Sequence, residues 1–169
     1  MHVMIATDGS IDSKKAASLA TALAGDGQVT VFTVVEVPRE MLNDMRSAVA
    51  GTADAKAQET SVEYRTTQAS DPSEWPWVGD DAVVAQYVRR TIKDRTDALA
   101  AELAAVGANY TVIGEEGENA AKSVLAAAAS HEADVLCIGT HGLGRFDGLL
   151  GSLSTKMARR AQCSVLLVR

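Results

Sequence analysis

The feature that most constrains this chain is a repeated alternation. Apolar, largely β-branched runs of strand length are separated by stretches with helical spacing. "HVMIAT" (2–7), "QVTVFTVVEV" (28–37), "NYTVIGEEG" (109–117), "DVLCIG" (134–139) and "CSVLLVR" (163–169) read as strands, the third passing into a loop. Near-continuous apolarity in such a run marks a strand covered on both faces, as in parallel sheets. After the first strand, Ile11, Ala16, Leu19, Ala20 and Leu23 predict one helical face, with Ser10 or Asp12 as cap and Gly25 or Gly27 as stop. A long helix is predicted over 81–106. There Val84, Val88, Ile92, Arg95, Leu99, Leu103 and Val106 recur every three or four residues before Gly107. Shorter helices are expected after Asn119 and over 152–161, the latter with Leu153, Met157 and Ala161 facing inward.

Strands alternating with helices imply an α/β fold: a parallel sheet with right-handed crossovers and helices on both faces. With 169 residues, a single domain over 1–169 is expected. Residues 38–81 interrupt the pattern. "AVAGTADAKAQET" is small and polar, and "ASDPSEWPWVGDD" carries Pro72, Pro76, Trp75 and Trp77. This stretch reads as an inserted connection, partly helical near 39–50 and irregular at 68–80. The two tryptophans either pin it to the body or contact a partner.

Composition narrows the function classes. Aromatic residues are only 4%, so Ala, Val and Leu must fill the core, which suits thin layers of helix on sheet. A net charge of −6 with scattered Lys and Arg argues against nucleic-acid binding. The first residues lack the basic start of a signal peptide, and no apolar run is long enough for a membrane span, so a cytoplasmic protein is expected. Cys137 and Cys163 then read as reduced, buried small hydrophobes. His2, His131 and His141 show no metal-ligand spacing with one another or with the cysteines, and Glu115–Glu116–Gly117–Glu118 reads as a solvated loop.

Two features fall at carboxyl ends of strands, where open α/β sheets bind ligands. They are "ATDGS" after the first strand and "GTHGLGRFDGLLGS" after the fourth. The second is not a P-loop, because the chain contains no Gly-Lys pair. Nor is it a dinucleotide fingerprint, because Asp147 stands where the third glycine would. What remains is a glycine-rich loop running through Gly151-Ser152 into a helix start. Such a start can hold an oxyanion with backbone N–H groups and the helix dipole, or serve as a turn. On the residues alone both readings stand.

"VMIATDGS", "ADVLCIGTHG" and "LLGSLSTKMARRAQCSVLLVR", in this element order, resemble the universal stress protein family. The resemblance covers almost the whole chain. It implies a Rossmann-like, five-stranded parallel doubly wound sheet of strand order 3-2-1-4-5, usually in a homodimer, here through residues 164–168. The family divides into ATP-binding and non-binding members, and binders carry Gly-x2-Gly-x9-Gly-(Ser/Thr). By position, Asp8 matches the acidic residue at the adenosine end, flanked by Ala6 and Thr7, and Val34 matches the residue whose backbone meets adenine. Gly139 and Gly142 match the first two glycines, with Ile138 before them and His141 between them. Gly151 and Ser152 match the final pair, followed by Leu153 and Ser154. The implied cofactor is ATP, and Mg²⁺ would enter with the nucleotide.

Two departures stand out. Eight residues, "LGRFDGLL", separate Gly142 from Gly151 where binders have nine, and Ser164 stands where the family commonly has proline. The expected function is a stress-response protein that takes ATP as a regulatory ligand. The alternative is a dimeric interaction module without nucleotide. A slow ATPase is a third reading, for which the sequence offers no evident catalytic base and no P-loop lysine.

Overall fold

The computed structural model describes residues 1–37, 63–67, 82–140 and 151–169. The chain runs β1 (His2–Ala6), α1 (Ser13–Ala24), β2 (Gln28–Val35), β3 (Glu63–Thr67), α2 (Ala82–Ala105), β4 (Tyr110–Glu116), α3 (Ala120–Ser130), β5 (Val135–Gly139), α4 (Ser152–Arg160) and β6 (Ser164–Val168). The sheet order is β3-β4-β2-β1-β5-β6. Its five parallel strands, counted in chain order, run 3-2-1-4-5 as expected. The reversal of strand order falls at β1, between β2 and β5.

The sixth strand corrects the reading of 38–81 as a connection without a strand. Residues 63–67, "EYRTT", pair antiparallel with β4, from Glu63 opposite Glu115 to Thr67 opposite Thr111. An edge strand needs hydrogen bonds on one side only, so a short polar segment suffices and leaves no apolar run to detect. The expected helix near 39–50, the irregular stretch at 68–80, Trp75 and Trp77 lie outside the described residues.

Two cores sandwich the sheet. Val3, Ile5, Val31 and Val35 pack with α1 and α2 on one face. Met4, Ala6, Phe32, Ile113, Leu136 and Ile138 pack with α3 and α4 on the other. On α1 the buried residues are Ala16, Ala17, Ala20 and Ala24, whereas Leu19 and Leu23 are 38% and 40% exposed. This corrects the expected helical face: the small alanine stripe, rather than the leucines, lies against the sheet. On α2, Val84, Val88, Ile92, Leu99 and Leu103 are buried, but Val106 lies past the helix end and is exposed.

Local signals for the helix ends act as their chemistry suggests. The Asp12 carboxylate accepts the Lys15 N–H at 2.9 Å, and the Asn119 side chain accepts that of Lys122 at 3.1 Å. Gly107, at φ +69°, ends α2 by donating to the Ala104 carbonyl while Ala108 N–H reaches Leu103. At the amino edge of the sheet His2 joins three elements. One ring nitrogen meets the His131 carbonyl and the other Thr30 Oγ1, both at 2.8 Å, while its N–H donates to Asp134. Cys137 is buried, and burial pushes its thiol up to about 12, which keeps it protonated. Cys163 is partly buried, and neither cysteine is in a disulfide.

Candidate functional site

The carboxyl edge of β1, β2 and β5 collects the chemistry. Ala6 is level with Phe32 on one side and Ile138 on the other, so Val34 extends two residues beyond the end of β1. After β1 the chain makes two tight side-chain-to-backbone turns. Gly9 N–H donates to Thr7 Oγ1 at 2.9 Å, and Ser10 N–H donates to Asp8 Oδ1 at 3.0 Å. Ser10 Oγ also donates to Asp8 Oδ1, so two bonds orient this exposed carboxylate. Gly9 sits at φ +92°, and a Cβ there would come within 3.3 Å of Arg95 Cα. Both the backbone conformation and the close approach of α2 therefore call for glycine.

On the other side of the strand reversal, β5 is tied to the start of α4. Gly151 N–H donates to the Thr140 carbonyl at 2.9 Å. Ser154 Oγ donates to the Gly139 carbonyl at 2.7 Å. Thr140 N–H in turn reaches Val168. Gly151 is the N-cap of α4, and among the described residues no side chain caps the helix. The first-turn N–H groups have no partner within the helix and stand at the positive end of its dipole. The basic Arg159 and Arg160 lie at the opposite end, where they complement the dipole.

Ten of the twelve expected site residues can be placed, and all ten lie at this edge: Ala6, Thr7, Asp8, Val34, Ile138, Gly139, Gly151, Ser152, Leu153 and Ser154. His141 and Gly142 lie outside the described residues. The ten do not offer the same chemistry. Ala6 and Ile138 have side chains in the core under α3 and α4, leaving only their backbone for a ligand. Ser154 is 3% exposed, and its hydroxyl is committed to Gly139. Asp8 and Ser152 are exposed.

Sequence reasoning treated Arg95 as one more position on the α2 stripe. Instead, its guanidinium crosses to the sheet and donates from Nη1 to the Val34 carbonyl at 2.5 Å. The available signal was a permanent charge at an apolar position. Glu115 and Glu116 were read as a solvated loop, but they close β4 and are half-buried. Ser123 Oγ donates to Glu115 at 3.0 Å, and burial raises the Glu116 carboxyl above its ordinary value. Among the described residues no group of three or more His, Cys, Asp or Glu is placed to hold a metal ion, and no helix is long and apolar enough to cross a membrane. A shallow groove between α3 and α4, lined by Leu125, Glu132, Arg160 and Cys163, contains none of the expected site residues.

The family model of the universal stress protein family matches residues 1–169. The chain belongs to that family. A curated universal stress protein, encoded in the QAH/OAS sulfhydrylase 3′ region of Thermus aquaticus, is 48% identical over 50 residues, which span 29% of this chain and 36% of that relative. Among solved structures, the hypothetical protein MJ0577 aligns with a TM-score of 0.60 at 13% identity, over 99% of this chain and 94% of its own. A universal stress protein family member from Burkholderia pseudomallei aligns at 0.56 and 20% identity, over 99% and 94%. UspA from Lactobacillus plantarum aligns at 0.52 and 16%, over 100% and 97%. At these identities the structural likeness speaks for the universal stress protein fold alone.

Proposed function

We propose that this universal stress protein binds ATP as a regulatory ligand, in the cytoplasm. The observation that carries the reading is the junction of β5 and α4. A helix start that no side chain caps among the described residues is fastened to the end of β5, across the strand reversal from the oriented Asp8 carboxylate. Phosphate oxygens are acceptors that suit the N–H groups of Ser152, Leu153 and Ser154. Ribose hydroxyls are donors that suit Asp8, and the base would lie toward Val34. Mg²⁺ would enter with the phosphates as a counter-charge.

The test is direct. Protein denatured in acid should release adenine nucleotide, or added ATP should raise the melting temperature of the empty protein. Ligand at about 100 times its Kd stabilises by about 2.7 kcal/mol, which is easily resolved. No released nucleotide together with an unmoved melting temperature overturns the reading.

One set of observations favours a second reading, a dimeric module without nucleotide. The Val34 carbonyl is already taken by Arg95, and the glycine spacing is one residue short of the binder pattern. In either reading the chain forms a homodimer through β6, whose outer edge has no strand partner among the described residues.

A further inference from the structure

The Val34 carbonyl stands where the parallel ladder between β1 and β2 runs out. Along a strand, the backbone polar groups of successive residues point alternately to the two neighbouring strands. The Phe32 carbonyl accepts the Thr7 N–H on the β1 side, and the Val35 carbonyl accepts the Gly117 N–H on the β4 side. The Val34 carbonyl therefore points to the β1 side, past the last residue of β1, into the crevice at the strand reversal. Arg95 fills that rung. Arg90 and Lys93, on the same helix, pair with Asp94 and Asp97 on the exposed surface. Arg95 instead passes over Gly9, where a Cβ would lie 3.5 Å from its Cγ, and donates to Val34.

We propose that Arg95 is a built-in competitor for the base of the nucleotide, holding the Val34 carbonyl until a purine amine displaces it. This rests on the nucleotide reading above and adds to it how base selectivity is set. A guanidinium can only donate, and so can the exocyclic amine of adenine. Both seek the same carbonyl from the same crevice. A purine with a 6-oxo group brings an acceptor to that position, and an acceptor cannot displace Arg95 from the carbonyl. Arg95 therefore lowers affinity for ATP while leaving a 6-oxo nucleotide untouched.

The experiment compares ATP with inosine triphosphate, which carries oxygen in place of the 6-amine, on wild-type protein and on Arg95→Met. Methionine keeps an unbranched apolar stem over Gly9, and circular dichroism melts check that the variant folds. Wild-type protein should prefer ATP by no more than about tenfold, since the amine gains the carbonyl only by breaking the bond that Arg95 already makes, a near one-for-one exchange of hydrogen bonds. Arg95→Met should bind ATP about tenfold more tightly, the scale of one hydrogen bond gained, without tightening inosine triphosphate. A larger wild-type preference, which needs no variant to detect, overturns the proposal. So does a substitution that leaves ATP affinity unchanged or tightens both ligands equally. If both nucleotides bind with any of these latter patterns, only the Arg95 inference fails. If neither nucleotide binds either protein, the nucleotide reading itself has failed and takes this inference with it.

Discussion

Glu116 shows how the carboxyl edge trades stability for polar groups at the level of one residue. It ends β4 half-buried, and burial lifts its carboxyl above the ordinary 4.5. A carboxyl that is harder to ionise in the folded chain than in the unfolded one destabilises the fold at neutral pH. That penalty fades as pH falls through the raised value and is absent below 4.5, where both states are protonated. Glu116→Gln should therefore be more stable than wild type at neutral pH, with the difference vanishing below 4.5 in urea melts. An advantage that persists in acid would locate the effect elsewhere. Arg95 and Gly9 belong to the same scale. Periodicity alone put Arg95 on the α2 stripe, but a one-dimensional pattern carries no information on which backbone group a long side chain will reach.

Among the elements, α2 docks closely on β4. A Cβ on Gly114 would overlap Cδ1 of Ile92 and lie 3.1 Å from its Cγ2. The absent side chain lets α2 settle close enough for Arg95 to span to Val34. Gly114→Ala should destabilise the protein by about 1–3 kcal/mol, as overpacking of a filled core does. Combining it with Ile92→Val should recover part of that loss. Strict additivity of the two changes in denaturant titrations would contradict direct contact. The helix ends at Asp12, Asn119 and Gly107 were legible in advance because capping is a local reaction between a side chain or glycine and the nearest turn. The buried face of α1 was legible only in part: Ile11, Ala16 and Ala20 are buried as expected. Leu19 and Leu23 are as apolar as any core residue, yet only the alanine stripe fits the gap between helix and sheet.

For the molecule as a whole, the sheet ends on two edge strands among the described residues, the polar antiparallel β3 and the apolar parallel β6, and β6 is the edge proposed for pairing. Leu166 packs against the core under α1 and α2, while Leu167 is 37% exposed on the other face. Leu167→Lys is therefore the cleaner probe of dimerisation through β6, because Leu166→Lys would also injure the protomer. Light scattering should report a dimer for wild type and a monomer for the variant. An unchanged dimer counts against pairing at this edge. Ser164 adds a local detail: its N–H donates to the Asp134 carbonyl at 3.2 Å, a bond that the proline common in the family could not make.

The sequence by itself determined the five parallel strands and the helices that alternate with them. Those follow from short-range periodicity and from the handed, local rules by which strands and helices connect. Only the tertiary structure decided that "EYRTT" joins the sheet, that alanines rather than leucines face it on α1, and that Arg95 occupies the Val34 carbonyl. Each of these is settled by a partner distant along the chain, and hydrogen bonds and close packing depend on where that partner stands in space.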